Sequence, residues 1–504
     1  MNKISFIAIM SACLLLSSCG LYNKYERPDV DTKGLVRDVT SDKDTLAVAD
    51  TTSFGNLPWR SVFTDPQLQT LIGQALEKNV DLLNAALNVD MIKSQLMVAK
   101  LAFIPSIAIS PQGTLSSWDG SKTTKTYQLP ISASWSVDLF GNLLSTKRNA
   151  QMQLLAAKDY QMAVKSQIVS GVANLYYTLL MLDRQQEILD EMEKLTKETW
   201  DMMSLQMKYG RARSTSVQSA EASYYNVKAQ AVDMRRQIRE TENSLSLLIG
   251  QAGQSISRGR LADQILPSEF STGIALQMLN NRPDVHAAEM NLASCFHNVQ
   301  TARSRFYPGI NISASGIFTN NGGAGITNPG KWLLTAIGSL TQPIFANGQL
   351  VAGLKVAKAQ QEQAFNNWQN AIFKAGNEVS NALVSYNTYH EKSQLDQQQV
   401  ELYRKNVEDT RQLYISSGST YLEVISAQAN LLNAEISKVS DDFFKMQAVV
   451  SLYSALGGGV KYSGWAHVVC LTQRHIELIS LAAPLSIAAF LRWNESNIQR
   501  PIIE

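Results

Sequence analysis

Proline is missing from two long stretches of this 504-residue chain. None occurs between Pro130 and Pro267, and none occurs between Pro343 and Pro484. Proline interrupts a helix because it lacks a backbone donor and its ring collides with the preceding turn. Each gap therefore has room for helices much longer than those of ordinary soluble domains.

Charged residues and cysteines are also scarce. Charged residues make up 17% of the chain and the net charge is +2, whereas about 25% charged residues is usual. A nucleic-acid partner is not expected, because such proteins carry a basic face. Cys295 and Cys470 are far apart in the sequence, so we expect no structural disulfide. No internal stretch reaches the roughly 20 apolar residues of a membrane-spanning helix.

The sequence lacks the residue patterns of an enzyme or a metal site. No nucleophile–base pair is recognisable, and the HExxH pattern is absent. His286 and His297 are eleven residues apart, too far for one metal site, and we expect them at the surface or in a lumen. We therefore predict no catalytic residue, no bound metal and no dissociable cofactor.

The N-terminus has the form of a secretion signal. Lys3 precedes an apolar run that ends in Leu16-Ser17-Ser18-Cys19. This ending resembles a bacterial lipobox, and the resemblance implies removal of residues 1–18 and covalent lipid on Cys19. The alternative is an ordinary signal peptide with an incidental cysteine. Gly20, where an Asp would retain the protein, resembles lipoproteins sorted to the outer membrane.

The chain contains an internal duplication. FIPSIAIS begins at residue 103 and FYPGINIS begins at residue 306. The match extends outwards, since TSVQSAEA (215–222) matches LEVISAQA (422–429) at a similar offset. A period of about 205 residues is too long for a solenoid unit, so it indicates one duplication of a large half. After a lipidated segment, 19–58, we predict two repeats at 59–253 and 254–459.

Each half has the periodicity of long paired helices. Apolar residues recur every seven positions, as in coiled-coil seams: Ile168, Leu175, Leu182 and Leu189; Val217, Tyr224, Ala231, Ile238 and Leu245; Ile425, Leu432, Val439, Met446 and Tyr453. Polar turns, YGRARSTS (209–216) and SSGST (416–420), divide each proline-free run. The pattern predicts two helical hairpins, at about 144–250 and about 347–456.

The proline-bearing segments predict two β-hairpins, at about 103–141 and about 307–345. Their alternating strands of about ten residues are long enough to cross a bilayer when tilted. Four strands cannot lie in lipid as an open sheet, because the edge groups would stay unpaired. Membrane barrels begin at about eight strands, so closure requires several copies. Three copies would supply twelve strands, although this argument does not itself select a trimer.

Five segments carry a family resemblance: WRSVFTDPQLQTLIGQALEKNVDL (59–82), WSVDLFGN (135–142), RPDVHAAE (282–289), ARSRFYPGINISASG (302–316) and YLEVISAQANLLNAE (421–435). In this order, and with the duplication, the chain resembles outer-membrane efflux lipoproteins of the TolC/OprM (NodT) type from residue 19 to about 459. The resemblance implies a mainly α fold with a small β part. A trimeric, twelve-stranded transmembrane β-barrel would continue into a long periplasmic α-helical barrel.

The resemblance also implies the function and partners. A homotrimer in outer-membrane lipid of a Gram-negative bacterium would passively conduct small toxic compounds. The compounds would come from an RND-type inner-membrane transporter through a periplasmic adaptor (membrane fusion) protein. Type I protein secretion and metal-cation efflux are alternatives that the sequence leaves open. A lipid-anchored coiled-coil tether without a pore is a more distant one, which the predicted strands disfavour.

The resemblance places the two helical turns at the periplasmic tip. The adaptor-contact candidates are Gly210, Arg211, Arg213, Ser214 and Gly418. The alternative is that these residues form solvated turns without a partner.

YISSGSTYLEVISAQ (414–428) resembles the family's gate segment. The gate candidates are Tyr414, Thr420, Tyr421, Glu423 and Ser426. Ser426 stands where the family often has Asp, which leaves Glu423 as the nearest acid. Three copies of Glu423 would form an anionic ring that favours cations; the alternative is a solvated glutamate outside the tube. Residues 460–504 match nothing in the family and are either an unusual extension or the product of a shifted reading frame. We expect this tail to be poorly ordered or a stray helix, and irrelevant to transport.

Overall fold

The computed structural model describes residues 23–30, 54–117, 119–120, 123–265, 282–319, 331–416 and 420–459. The predicted signal peptide, Cys19, Gly418 and the tail at 460–504 lie outside these residues.

Seven helices of more than one turn make up most of the described chain. They are α1 Pro66–Lys78, α2 Val80–Leu101, α3 Asn142–Lys208, α4 Ser214–Leu248, α5 Pro283–Ser304, α6 Gln349–Ile415 and α7 Tyr421–Ala455. Single turns lie at Phe54–Asn56, Trp59–Val62 and Leu261–Asp263. Among the described helices, none has an apolar stretch of the length that a membrane crossing requires.

The helix lengths confirm the duplication. α2 and α5 each have 22 residues, α3 and α6 each have 67, and α4 and α7 each have 35. The start of α5 lies 203 residues after that of α2, and α6 and α7 start 207 residues after α3 and α4. From the 22-residue helix to the end of the 35-residue helix, the second half is therefore longer by four residues, all in the segment that contains its β-strands.

The long helices pack as two antiparallel hairpins joined side by side. α3 lies against α4, α6 lies against α7, and α3 and α7 are in contact between the hairpins. The predicted seam is buried, since Ile168, Leu182 and Leu189 of α3 are at most 4% exposed. At 1.5 Å per residue, a 67-residue helix is about 100 Å long.

The strands form one antiparallel sheet, with β1 Ser106–Ile109, β2 Gln112–Ser116, β3 Thr124–Val137, β4 Gly309–Thr319 and β5 Lys331–Thr341. β1 and β2 both pair with β3, which pairs with β4, and β4 pairs with β5. The predicted first strand is interrupted at Pro111, because proline cannot donate to the ladder. β1 with β2 forms one edge of the sheet in this chain, and β5 forms the other.

A half-buried arginine holds the segment that follows α4 and leads to the second half. Arg258 donates to both carboxylate oxygens of Asp183 at 2.5 and 2.8 Å, and to Glu242 at 2.7 Å. Its side chain is 13% exposed. Next to it, the Gly259 amide donates to the Tyr176 hydroxyl at 3.0 Å. These bonds tie the connection between the halves to α3 and α4.

Candidate functional site

The sheet has one apolar face and one polar face. Cross-strand partners share a face, so the register with β4 places alternate residues of β3 together. One face carries Ile131, Ala133, Trp135, Ile310, Ile312 and Ala314, and the other carries Ser132, Ser134, Ser136, Asn311, Ser313 and Ser315. No strand residue with a described side chain is buried. A sheet with this pattern, on which none of the described helices packs, suits a boundary between lipid and water.

The first hairpin turns at its tip through a glycine. Gly210 has φ +72°, a left-handed conformation that glycine adopts without steric cost. Its amide donates to the Met207 carbonyl at 3.0 Å, and the Arg211 amide donates to the Gln206 carbonyl at 2.9 Å. This is a Schellman C-cap. Gly210 and the candidates Arg211, Arg213 and Ser214 are all exposed at this turn.

The second hairpin resumes after its turn with a capping box. The Glu423 amide donates to the Thr420 hydroxyl at 3.4 Å, and the Glu423 carboxylate accepts from the Thr420 amide at 3.3 Å. These reciprocal bonds satisfy two amides at the start of α7. Glu423 and Ser426 are exposed and Tyr421 is half-buried. Two gate candidates, Thr420 and Glu423, are thus in contact with each other.

Tyr414 joins the two hairpins near their tips. Its hydroxyl, on the last turn of α6, donates to the Gln206 side-chain oxygen on α3 at 2.5 Å and lies 3.2 Å from the Met203 sulfur. Burial raises the pKa of Tyr414, which keeps its hydroxyl a donor at neutral pH. The carbonyl of Gln206 also caps the first tip. Gln206 therefore links the turn of the first hairpin to the end of α6 in the second hairpin.

Two further contacts reinforce this junction. Arg411 donates to Glu198 at 3.0 Å, and Gln428 donates to the Thr199 hydroxyl at 2.9 Å. These four residues and Gln206 are not among the residues predicted from the sequence. No local pattern identifies them, because the partners are more than 200 residues apart.

A cluster of acids lies between α6 and α7, well above the tips. Asp441 accepts from Lys392 at 2.7 Å, and Asp442 accepts from Lys438 at 2.8 Å and lies 3.9 Å from Lys445. Asp396 faces the same cluster, and its Oδ2 is buried without a donor among the described residues. Burial, followed by the adjacent Asp441 carboxyl, raises the pKa of Asp396 from 3.8 to about 6.

This raised pKa predicts a pH-dependent stability. The folded protein holds a proton on Asp396 more tightly than the unfolded chain does, so the contribution of Asp396 to stability should fall as pH rises from about 4 to about 6 and stay lower above that. His297, whose pKa is lowered, contributes in the opposite direction over this range, so the effect of Asp396 is measured as the difference between the variant and the wild type. Asp396→Asn should remove this fall and raise the melting temperature at pH 7. Thermal unfolding of the detergent-solubilised protein at several pH values measures it. Asp409→Asn, at an exposed position of the same helix, is the control; an unchanged profile in Asp396→Asn would contradict the assignment.

One of the two histidines of α5 differs from expectation. His297 is 4% exposed, so the prediction of a surface or lumen position is wrong for this residue. Burial, with Arg148 nearby, lowers the pKa of His297 to about 4. His286 is half-buried, with Nδ1 2.5 Å from an Asp159 carboxylate oxygen. In the described ranges, no group of His, Cys, Asp and Glu side chains is arranged to hold a metal ion.

Comparison with known proteins identifies the family. The model of the family described as "Outer membrane efflux protein" matches residues 71–251 and 275–458. The chain belongs to the outer membrane efflux protein family. The two matched segments lie within the two halves of the duplication. Membership makes the chain an outer-membrane efflux channel protein, in agreement with the predicted fold, location and transport class.

Efflux proteins named for different substrates align with most of this chain. The cation efflux system protein CusC of Escherichia coli is 27% identical over 457 residues, covering 88% of this chain and 97% of CusC. The toluene efflux pump outer membrane protein TtgC of Pseudomonas putida is 26% identical over 476 residues, 90% of this chain and 96% of TtgC. A crystal structure of CusC has a TM-score of 0.77 at 24% identity, covering 87% of this chain and 100% of that chain.

Proposed function

We propose that this chain is the outer-membrane exit duct of a tripartite efflux pump and conducts small toxic compounds passively, without a catalytic step. The sheet carries the proposal, because it has a polar and an apolar face and packs against none of the helices in the described ranges. Each β-hairpin leads directly into a helix of 67 residues, long enough to reach about 100 Å into the periplasm.

A homotrimer is the proposed assembly. Both sheet edges need partners in lipid, since unpaired backbone groups there are costly. α6 also has exposed apolar residues eleven positions apart, Phe373, Val384 and Leu395; this spacing returns to the same helix face after three turns. Neighbouring copies would cover this line and pair the sheet edges. With β1 and β2 counted as one interrupted strand, three chains would give twelve strands, above the minimum of about eight known for membrane barrels.

The partners of the proposed pump are a periplasmic adaptor and an RND-type inner-membrane transporter. The exposed turn at Gly210, Arg211, Arg213 and Ser214 is the proposed adaptor contact. CusC and TtgC are named as components of efflux systems, which supports this arrangement. Metal-cation efflux is the second candidate function, favoured by the name of CusC.

Lipid on Cys19 is the proposed anchor. Tyr25 packs its ring against Phe296, with 5.9 Å between the ring centroids, in the part of α5 nearest to β4. The described chain begins at Asn23. The four residues from Cys19 to Asn23 span at most about 14 Å when extended, so a lipid on Cys19 would be held near the periplasmic end of the sheet.

Paired substitutions in adjacent residues test the proposed membrane wall. Ala314 is on the apolar face and Ser313 on the polar face, both near the middle of β4. Arginine on a lipid-facing strand position costs about 2–4 kcal/mol at the bilayer midplane. Ala314→Arg should therefore abolish the oligomer in isolated outer membranes, measured by unheated gel electrophoresis, and Ser313→Arg should preserve it. Equal assembly of both variants, or electron micrographs of monomeric rods without a lumen, would reject the duct.

In the proposed trimer, three copies of Glu423 form a ring of negative charge at the periplasmic tip of the duct. Glu423→Gln removes the charge but preserves the capping box, which accepts Gln at this position. The preference of the reconstituted channel for cations, measured by reversal potential in a salt gradient, should fall towards that of a neutral pore. Glu401→Gln, at an exposed position of α6, is the control. If the preference survives in Glu423→Gln, Glu423 acts only as a helix cap.

A further inference from the structure

A groove lies between α3, α6 and α7, part-way from the sheet to the hairpin tips. Its volume is about 590 Å³. Small residues leave this space open on the facing sides of α6 and α7: Ala382, Ser385, Ala448, Ser451, Ser454 and Ala455. An empty gap in a packed wall forfeits dispersion contacts, which water or a bound solute would restore.

The α3 side of the groove carries polar atoms without partners. Ser170 is 8% exposed, and its hydroxyl has no hydrogen bond to any described residue. One turn further along α3, the side-chain oxygen of Asn174 is also buried without a donor among these residues. Both residues line the groove. Because buried polar groups are nearly always paired, the groove is suited to a solute that donates a hydrogen bond to Asn174.

Two stacked aromatic rings form the end of the groove nearer to the hairpin tips. The rings of Tyr389 on α6 and Phe444 on α7 have centroids 5.0 Å apart and planes at 30°. Both residues line the groove, and Phe444 is 37% exposed. Aromatic rings prefer offset-stacked or edge-to-face contacts with other rings. The open part of the Phe444 ring is therefore suited to a planar aromatic solute.

The polar and aromatic ends are separated by about the length of a small two-ring molecule. Gln185 of α3 donates to Ser440 of α7 at 3.1 Å, and the two helices run antiparallel. Asn174 is therefore level with Ser451, which lies seven residues, or about 10 Å, from Phe444. A molecule of two fused rings with one hydroxyl group can contact both ends at once.

The groove has little net charge. Among the described residues that line it, Glu378 alone is charged. Its carboxylate lies 2.7 Å from Arg282 and 3.9 Å from Lys374. Arg282 is also fixed by a bond to the Ala455 carbonyl at 3.0 Å. Because cations already compensate this carboxylate, the groove favours an uncharged solute over an ion of either sign.

The groove lies on the side of α7 opposite to the N-terminal segment. Tyr453 packs against Phe54 and Phe63 of that segment, with ring centroids 5.7 and 5.6 Å apart. Ser451 in the groove is two residues away, which is about 200° around the helix. In the proposed duct the N-terminal segment lies outside, because inside it would block the path. The groove therefore faces the lumen.

We infer that this groove is a binding site in the wall of the duct for uncharged, planar aromatic molecules that carry a hydroxyl or amide donor. The inference rests on the proposed function, which makes this side of α7 the lumen. The ring of the bound molecule packs on Phe444, and its donor binds the side-chain oxygen of Asn174. The Ser170 hydroxyl, which both donates and accepts, binds a second polar group where the molecule has one.

Protection of a cysteine in the groove tests the inference, with 2-naphthol as the probe. Ser451→Cys, in a Cys295→Ala, Cys470→Ala background that retains Cys19, is labelled with a small methanethiosulfonate in the detergent-solubilised protein. Saturating 2-naphthol should slow this labelling about fivefold or more, because a ligand in a concave site covers most of its lining. Ser437→Cys is the control, at an exposed position of α7 about 21 Å nearer to the tip. Its labelling rate should not change.

Asn174→Leu separates the hydrogen bond from the ring contact. In the Ser451→Cys parent, 2-naphthol should protect at about a fivefold lower concentration than 2-methoxynaphthalene, which has no donor. In Asn174→Leu the two probes should protect at the same concentration. Ser385→Leu fills the groove from α6 and should abolish protection by both. Equal protection by both probes in the parent would overturn the assignment of a donor to the bound molecule.

The site and the duct can fail separately. Labelling of Ser451→Cys that 2-naphthol leaves unchanged, or slows no more than that of Ser437→Cys, overturns the binding site. If electron micrographs then show a lumen, the proposed duct is retained. Protection of Ser451→Cys in a protein without a lumen overturns the duct and retains the binding groove.

Discussion

Tyr414→Phe should raise the conductance of the reconstituted channel by at least several-fold. The substitution deletes the hydroxyl that donates to Gln206 at 2.5 Å and lies beside Met203, and it retains the ring. One such bond is worth about 1 kcal/mol. If three copies open together, the loss of three bonds shifts the closed-to-open equilibrium by about a hundredfold. Single-channel recording in planar bilayers measures the change.

A double-mutant cycle assigns the effect to this contact. Gln206→Leu should also raise the conductance, and the Tyr414→Phe, Gln206→Leu double variant should exceed neither single variant by much. Tyr421→Phe is the matched control, because Tyr421 has no hydrogen bond through its hydroxyl to any described residue. Additive effects in the double variant, or a Tyr414→Phe channel as closed as the wild type, would show that the Tyr414–Gln206 hydrogen bond does not hold the channel closed.

Arg258→Met should be among the most destabilising single substitutions in the described chain. It leaves Asp183 and Glu242 without their shared cation, and Glu242 is only 9% exposed. Removing one partner of a buried ion pair costs about 3–5 kcal/mol, because the remaining charge stays desolvated. The segment around Gly259 should detach from Tyr176 as well. We expect a clearly lower melting temperature in detergent and proteolytic cleavage between residues 251 and 265.

An exposed arginine provides the comparison. Arg236 contacts Asp233 and Glu240 at 2.7 Å, and all three side chains are more than half exposed. Solvent-exposed pairs contribute little to stability, so Arg236→Met should melt close to the wild type. If both arginine variants melt alike, the Asp183–Arg258–Glu242 cluster is not what holds the connection between the halves.

The fold was predictable from the sequence because its signals are periodic and repeated. Seven-residue spacing identifies the buried side of α3 and α7, as at Leu189 and Val439. Two-residue alternation separates Ser313 from Ala314 in β4. Missing proline marks the long helices. Each signal depends on near neighbours in the chain, and the duplication presents it twice.

The contacts of the site were not predictable in the same way. A heptad pattern tells which side of a helix is buried, but not which residue it meets. Tyr414 and Gln206 are 208 residues apart, and Arg258 and Asp183 are 75 apart. Their pairing depends on how two helices are positioned along each other. His297 shows the same limit, since a polar side chain on a helix gives no sign that its neighbours will bury it.

The equal lengths of the paired helices have an evolutionary consequence. In a tube assembled from both halves, the two hairpin tips stay at the same level only if the halves change length together. One added helical turn would leave one hairpin about 5.4 Å longer than the other. Selection on length is therefore shared by the halves, whereas selection on their ends is not. At the 207-residue offset, Tyr414 corresponds to Met207 and Gln206 to Leu413. The two halves have therefore kept equal helix lengths since the duplication, while the residues at their two hairpin tips have diverged.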